Sequence, residues 1–315
     1  MELEMKRIVV VGAGAVGGAI AGLLSNAGVP VALVTRKEYL SEQQNGMTIE
    51  FPHRQVLAKP EIIGGLDQVD WRDDDLIVVA TKLNDALAIF QQIQTTAGRT
   101  SSVVCANNGV QGEEWAMAHF DSVMGMMIWM PSTHLSPTDF RIYGEDCPGV
   151  LDVGTVRGSD GESKWLSQRL VGAGFDSVDR TDIMDWKYAK LMANVGNTAQ
   201  ALVTDDWKSV ARLARSEAEN VLDAAGIGRV EKNVLRQRCE KIALGPIEGQ
   251  RREGGSTWQS FKRGRPLETP WIEGAIVKLA AEHNVAAPIN QRLTELAENP
   301  RRVTAADLMS GLDGE

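Results

Sequence analysis

The run Arg7-Ile8-Val9-Val10-Val11-Gly12-Ala13-Gly14-Ala15-Val16-Gly17-Gly18 passes from a β-branched strand into glycines, then into a helix of small residues that closes at Gly28. An unbroken apolar run is what a parallel strand covered on both faces requires. Gly12 permits a sharp turn off the strand, Gly14 leaves the backbone bare for a pyrophosphate, and Gly17 lets the helix lie close to the sheet. The helix start supplies unpaired N–H groups and a positive dipole end, which favour an anion. With Val31-Ala32-Leu33-Val34 as the next strand, the whole is one βαβ unit of about 30 residues, the size of a dinucleotide site.

The end of that second strand bears on which dinucleotide is bound. An acidic residue there accepts hydrogen bonds from a ribose 2′-hydroxyl, whereas a 2′-phosphate calls for a cation. Here the strand runs into Thr35-Arg36-Lys37, and Arg36 can grip a phosphate through its planar fork. NADP(H) rather than NAD(H) is therefore expected.

Two further buried strands follow, Leu76 to Ala80, ending at Thr81-Lys82, and Ser102 to Ala106, ending at Asn107-Asn108-Gly109. Asn84 or Asp85 would cap the intervening helix, Ala86 to Ala97. Ligands of open α/β sheets bind beyond the carboxyl ends of the strands. The Gly12 to Gly17 turn, Arg36, Lys82 and Asn107 all fall at such ends, so four strands deliver glycine or polar residues to one crevice. Ser122 to Trp129 reads as a methionine-rich strand, Phe140 to Tyr143 and Val150 to Val153 as antiparallel β, Lys164 to Val171 as a helix and Asp176 to Val178 as a last short strand. From Asp182 nearly everything reads as helix. The expected fold class is α/β, an N-terminal Rossmann-type dinucleotide-binding domain over 1–181 followed by an all-α C-terminal domain over 182–315.

Composition narrows the function. A chain of 315 residues is comfortable for two domains, and its net charge of −9 argues against a nucleic-acid or membrane-surface binder. Three scattered cysteines carry no metal-ligand spacing and fit a reduced compartment. The start, Met1 to Lys6, lacks the basic-then-apolar pattern of a targeting segment, and no apolar run is long enough to span a membrane. A cytoplasmic protein without a metal is the expectation. The four histidines fall where no motif surrounds them and read as surface or structural groups.

The most informative later stretch is Asp185 to Leu202, read as one helix. It is apolar enough to be buried, yet Lys190, Asn194 and Asn197 or Thr198 recur at spacings of four and three, so one stripe is polar. A buried lysine and asparagine are costly unless paired, which turns such a stripe toward a wet cleft or a polar ligand. The helices beyond it, Asp205 to Ala225, Glu231 to Leu244, Trp271 to His283 and Ile289 to Glu298, read as scaffold.

Taken together, Gly12 to Gly17, Lys82, Asn107-Asn108-Gly109, Trp186 to Asn194, Gly255-Ser256-Thr257-Trp258-Gln259, Leu267-Glu268-Thr269 and Glu273-Gly274 resemble the ketopantoate reductase (2-dehydropantoate 2-reductase) family over essentially the whole chain. The resemblance implies an oxidoreductase that passes hydride from NADPH to C2 of a 2-oxo acid, giving pantoate on the way to pantothenate. It makes Lys190 the proton donor, Asn194 and Ser256 substrate-binding groups, Asn107 and Lys82 residues where cofactor and substrate meet, and Glu268 an acidic group near the nicotinamide ribose and Lys190. Cofactor contacts are expected from Gly12, Ala13, Gly14, Ala15, Val16, Gly17 and Arg36.

The chain departs from the family where substrate is read. Thr198 stands at the second asparagine position with Asn197 one place early, Ser260 replaces an aspartate, and Thr269-Pro270 replaces a hydrophobic–acidic pair. A reductase of another 2-oxo acid, or a non-catalytic NADP(H)-binding sensor of the same fold, therefore stays open. So does a homodimer.

Overall fold

The computed structural model describes residues 6–158 and 161–310; Met1 to Met5, part of the stretch read above for targeting, lie outside them. In chain order the elements are β1 (Ile8–Val11), α1 (Ala15–Asn26), β2 (Val31–Val34), α2 (Leu40–Gln43), β3 (Met47–Glu50), β4 (Gln55–Ala58), β5 (Glu61–Ile63), β6 (Leu76–Val79), α3 (Leu83–Ala97), β7 (Ser102–Cys105), α4 (Gln111–His119), β8 (Ser122–Trp129), β9 (Ser132–Ser136), β10 (Asp139–Ile142), β11 (Val150–Arg157) and α5 (Glu162–Gly172). Then come α6 (Ile183–Asn194), α7 (Asn197–Leu202), α8 (Trp207–Ala224), α9 (Lys232–Cys239), α10 (Ser256–Lys262), α11 (Glu273–His283), α12 (Pro288–Glu298) and α13 (Ala305–Met309). Among the described residues no helix is long and apolar enough to cross a membrane.

The chain forms two compact units. Of the described residues, one comprises 6–108, 112–158, 161–187 and 233–252, the other 109–111, 188–232 and 253–310. Helix α6 thus begins in the first unit and ends in the second.

The first unit holds a seven-stranded sheet of order β11-β8-β7-β6-β1-β2-β5 and a four-stranded sheet of order β4-β3-β10-β9. In the larger sheet β5, β2, β1, β6, β7 and β8 run parallel, and β11 pairs antiparallel with β8. The strands β1, β2 and β6 are fully buried along their length, as their continuous apolar sequences require. At their amino ends Arg7 forks onto Asp75, with contacts of 2.9 and 2.7 Å. Helix α1 meets the smaller sheet through glycine: a Cβ on Gly18 would lie 2.2 Å from the ring of Phe140, and one on Gly22 would lie 2.7 Å from Ile49. Phe140 is itself stacked on His134 with ring centroids 4.6 Å apart.

A buried charge cluster closes the far edge of this unit. Asp152 on β11, wholly buried, accepts from the Val178 amide, from Arg180 at 2.9 Å and from Arg238 at 2.6 Å, and Arg238 also reaches Asp176 at 2.8 Å. Arg238 is held well above its ordinary pKa; burial opposes the charge, and the two carboxylates outweigh it. The expected strand Asp176 to Val178 is reduced to single bridges from Asp176 and Asp179 to β11, because the Asp152 carboxylate takes the Val178 amide. The expected scaffold helix Glu231 to Leu244 ends at Cys239, and it carries Arg238 to this cluster.

The second unit is helical, with a core of Leu191, Val195, Leu202, Val210, Ala214, Val221, Leu222, Ile276 and Leu293. Two expectations need correction within it. The single helix Asp185 to Leu202 is two helices, because Gly196 adopts a left-handed conformation at φ +90°, where a Cβ would come within 2.5 Å of Ala211. The helix expected from Trp271 starts at Glu273, preceded by a 3-10 turn Thr269–Trp271 that holds Pro270. In the first unit, α3 opens at Leu83 with Lys82 in the cap position, so Asn84 and Asp85 lie inside its first turn and not at the cap.

Replacing Gly18 with alanine should drive a methyl into Phe140. Overpacking of about 1–3 kcal/mol outweighs the gain in helix propensity of up to about 1 kcal/mol. Urea unfolding should show net destabilisation for Gly18→Ala. Much of it should be recovered in the double variant with Phe140→Leu, a non-additivity expected of touching side chains.

Candidate active site

The glycine turn has the shape its sequence implies. Gly12 has φ +111°, and a Cβ there would strike the Thr81 amide at 2.9 Å; one on Gly17 would strike the Gly12 carbonyl at 2.0 Å. Gly14, by contrast, has nothing within 4 Å of an added Cβ. Two of the glycines are therefore required by packing, and the third faces open space at the head of α1. Ala13, Ala15 and Val16 fill out the turn and are partly exposed. Arg36 follows β2 and is exposed, with Glu38 3.9 Å away. Lys82 is half-buried at the head of α3.

The neighbouring strand ends carry orphaned polar atoms. The hydroxyls of Thr35, at the end of β2, and Thr81, beyond β6, are buried without a hydrogen-bond partner. Unpaired buried hydroxyls are costly unless a ligand or water completes them. Open space at Gly14, an exposed arginine and two waiting hydroxyls at strand ends fit a dinucleotide.

Asn107 serves this edge differently from a surface amide. It is buried, and its Nδ2 donates to the Thr81 carbonyl, tying the ends of β6 and β7 together. Asn108, one position on, is only half-buried. Beneath them lies a pair that the sequence reading did not single out. Lys187 on α6 and Glu113 on α4 are almost wholly buried and 2.5 Å apart, and the Lys187 ammonium also donates to the Asn107 carbonyl at 3.0 Å. Burial raises the Glu113 pKa, and Lys187 opposes the shift. The only signal in the sequence was a lysine one turn before Lys190 in an otherwise apolar helix, which is weak.

In the second unit the polar stripe is real, and it is built across the helix break. Lys190 donates to Asn194 Oδ1 at 3.2 Å, and Asn197 donates to the same oxygen at 3.4 Å. Thr198 turns away: it is fully buried and its hydroxyl pairs with that of Thr269 at 2.7 Å. The structure thus brings Lys190, Asn194 and Asn197 together and commits Thr198 to the core. Ser256 opens α10, whose preceding Gly255 donates to Gln200 at 3.1 Å and comes within 3.8 Å of Asn197 Oδ1 when a Cβ is added. Glu268 is half-buried at the head of the turn that contains Thr269. Ser260 is buried and its hydroxyl donates to the Ser256 carbonyl at 3.0 Å, which braces the start of α10.

Glu273, quoted above only as part of a motif, is fully buried. Its Oε1 accepts from the amides of Gly196 at 3.1 Å and Thr198 at 3.3 Å. Desolvation pushes its pKa up to about 7, against those hydrogen bonds.

A parallel sheet with a glycine turn at the first strand end, together with a helical unit bearing a lysine–asparagine line, defines the class of Rossmann-type chains with a separate helical domain. Two family models match, "Ketopantoate reductase PanE/ApbA" over residues 8–158 and "Ketopantoate reductase PanE/ApbA C terminal" over 182–300. The chain belongs to the ketopantoate reductase family. Among its relatives, the 2-dehydropantoate 2-reductase of Archaeoglobus fulgidus is 24% identical over 311 residues, covering 93% of this chain and 97% of the relative. A PanE/ApbA family ketopantoate reductase from Ralstonia eutropha superposes with a TM-score of 0.77 at 20% identity, covering 93% of this chain and 97% of the other. A D-mandelate dehydrogenase solved with NADH and anilino(oxo)acetate gives 0.76 at 22% identity with the same coverage.

Two outcomes follow from the buried charges. Lys187→Met leaves Glu113 buried without its cation and should cost about 3–5 kcal/mol, read by urea unfolding; adding Glu113→Leu should recover much of that loss. For Glu273 the sign is set by a raised carboxyl pKa. Between pH 4.5 and 7 the folded chain keeps a proton that the unfolded chain has lost, so this group's contribution to stability falls as pH rises through that window. Unfolding at pH 5 and pH 8 should show a larger loss in the native protein than in Glu273→Gln.

Proposed function

We propose that this chain reduces a 2-oxo acid to the 2-hydroxy acid with NADPH, and that the substrate is 2-dehydropantoate, giving pantoate for pantothenate synthesis. The observation that carries the reading is the line Lys190–Asn194–Asn197 beside the start of α10, within a chain of the ketopantoate reductase family. A cytoplasmic homodimer belongs to the same proposal; a ketopantoate reductase from Staphylococcus aureus with a TM-score of 0.70 is described as dimeric.

Bound NADPH supplies the hydride. Gly12, Ala13, Gly14, Ala15, Val16 and Gly17 would cradle its pyrophosphate, and Lys82 and Asn107 would border the place where it meets substrate. Arg36 would hold the 2′-phosphate. Its contact with Glu38 is solvent-exposed and weak, so a phosphate competes for the guanidinium at little cost.

At the substrate, reduction leaves negative charge on the carbonyl oxygen, and Lys190 both stabilises that charge and donates the proton. Asn194 suits this role because it orients the ammonium through a neutral oxygen and leaves the positive charge intact. Glu268 would help keep Lys190 protonated, since a nearby anion favours the charged form. Ser256 and Asn197 would hold the acid's polar groups.

One observation favours a second substrate within the same chemistry. The hydroxyl of Thr198 is turned inward to Thr269 and Glu273, so the second polar contact comes from Asn197, one residue earlier than the family pattern. A 2-oxo acid with a different side chain is the alternative.

Absorbance at 340 nm should show rapid NADPH oxidation with 2-dehydropantoate and much slower oxidation of NADH. Lys190→Ala should lose at least about a thousandfold in kcat. Arg36→Ala should raise the KM for NADPH about tenfold or more and leave that for NADH unchanged. Turnover of another 2-oxo acid in place of 2-dehydropantoate would select the second reading, and NADPH binding without turnover of any would overturn both.

A further inference from the structure

In an unbroken helix, residues 190, 194, 197 and 198 share one face, with 197 about 20° to one side of 190 and 198 about 80° to the other, so both adjacent side chains would border the polar line. This chain does not follow that geometry. The left-handed residue Gly196 restarts the helix, which separates the two neighbours: Asn197 stays on the line and donates to Asn194, while Thr198 is buried against Thr269. The break therefore decides which of two adjacent side chains joins Lys190.

A helix break frees backbone amides, and buried amides need acceptors. Those of Gly196 and Thr198 both donate to one side-chain oxygen, Glu273 Oε1. The other oxygen, Oε2, is buried without a hydrogen-bond partner. The half-buried Arg215 on α8 is a cation that feels the Glu273 charge. A carboxyl in so dry a place is a costly acceptor, yet it spans two amides on either side of Asn197, where a single backbone carbonyl held in α11 could not follow the turn.

We propose that Glu273 is a positioning residue for substrate: by holding the amides of Gly196 and Thr198 it fixes the helix break that places Asn197, and not Thr198, beside Lys190 and Asn194. The assignment rests on the 2-oxo acid reading only for what the polar line binds; the role of Glu273 at the break stands on the two hydrogen bonds.

Two measurements separate these parts. Glu273→Gln keeps a carbonyl oxygen for both amides, and Glu273→Ala removes it; Glu273→Met, which fills the space without an acceptor, replaces the alanine variant if that does not fold. Hydrogen exchange followed by mass spectrometry needs no substrate. The peptide spanning 195–199 should exchange about tenfold faster in the alanine or methionine variant and within about twofold of native in Glu273→Gln. In steady state the same variants should raise the substrate KM about tenfold or more with NADPH affinity unchanged, and Glu273→Gln should restore KM to within about threefold. Native-like exchange without the acceptor, glutamine as damaging as alanine, or faster exchange with an unchanged KM would overturn the proposal. If the native protein reduces no 2-oxo acid, the functional reading fails by itself, and the exchange arm still decides whether Glu273 holds the break.

Discussion

A helix can approach one sheet at its tip and a second along its flank only if it carries almost no side chains where they touch, and α1 meets that constraint. Gly17 brings its first turn onto the carbonyl of Gly12, while Gly18 and Gly22 admit Phe140 and Ile49 from the smaller sheet. Every later feature of the nucleotide face depends on this closeness. Because the helix starts so near the strand, its amino end, where an anion is favoured, lies at the same end of the sheet as the unpaired hydroxyls of Thr35 and Thr81.

Polar groups are buried where the fold must hold a position, and they are satisfied by unlike means. Lys187 and Glu113 form a two-body pair that also grips the loop after β7, whereas Asp152 is met by two arginines and an amide. Such arrangements add little net stability, since desolvation consumes most of the attraction. They do make misplacement expensive, because a partner that shifts leaves a bare charge behind.

The parallel sheet was legible because its strands are continuous apolar runs ending in glycine or polar residues, a pattern that few other folds produce. The lysine–asparagine stripe was legible for a related reason, since polar residues at helical spacing in an apolar stretch demand a partner. The break at Gly196 was not. A glycine inside a helix is commonly tolerated at about 1 kcal/mol, and nothing local distinguishes that case from a left-handed stop; the acceptor that stabilises the stop, Glu273, is 77 residues away in sequence. The role of Arg238 was hidden in the same way, because basic residues in the last turn of a helix look alike whether they face water or a buried aspartate. Asn107 was read correctly as a strand-end residue, but which way its amide turns depends on the carbonyl of Thr81 in the neighbouring strand.

Arg238 lies 86 residues beyond Asp152, and the segment 233–252 belongs to the first unit although most of the second unit's first helices are encoded before it. During synthesis, then, the nucleotide-binding half cannot finish when its sheet is complete. Asp152 must wait, hydrated or loosely paired with Arg180, until the ribosome has made much of the helical half and the returning segment has emerged. The order in which the chain is made thus ties the maturation of one half to the appearance of the other, and a nascent protein stalled after α8 would carry a finished sheet with an unfinished edge.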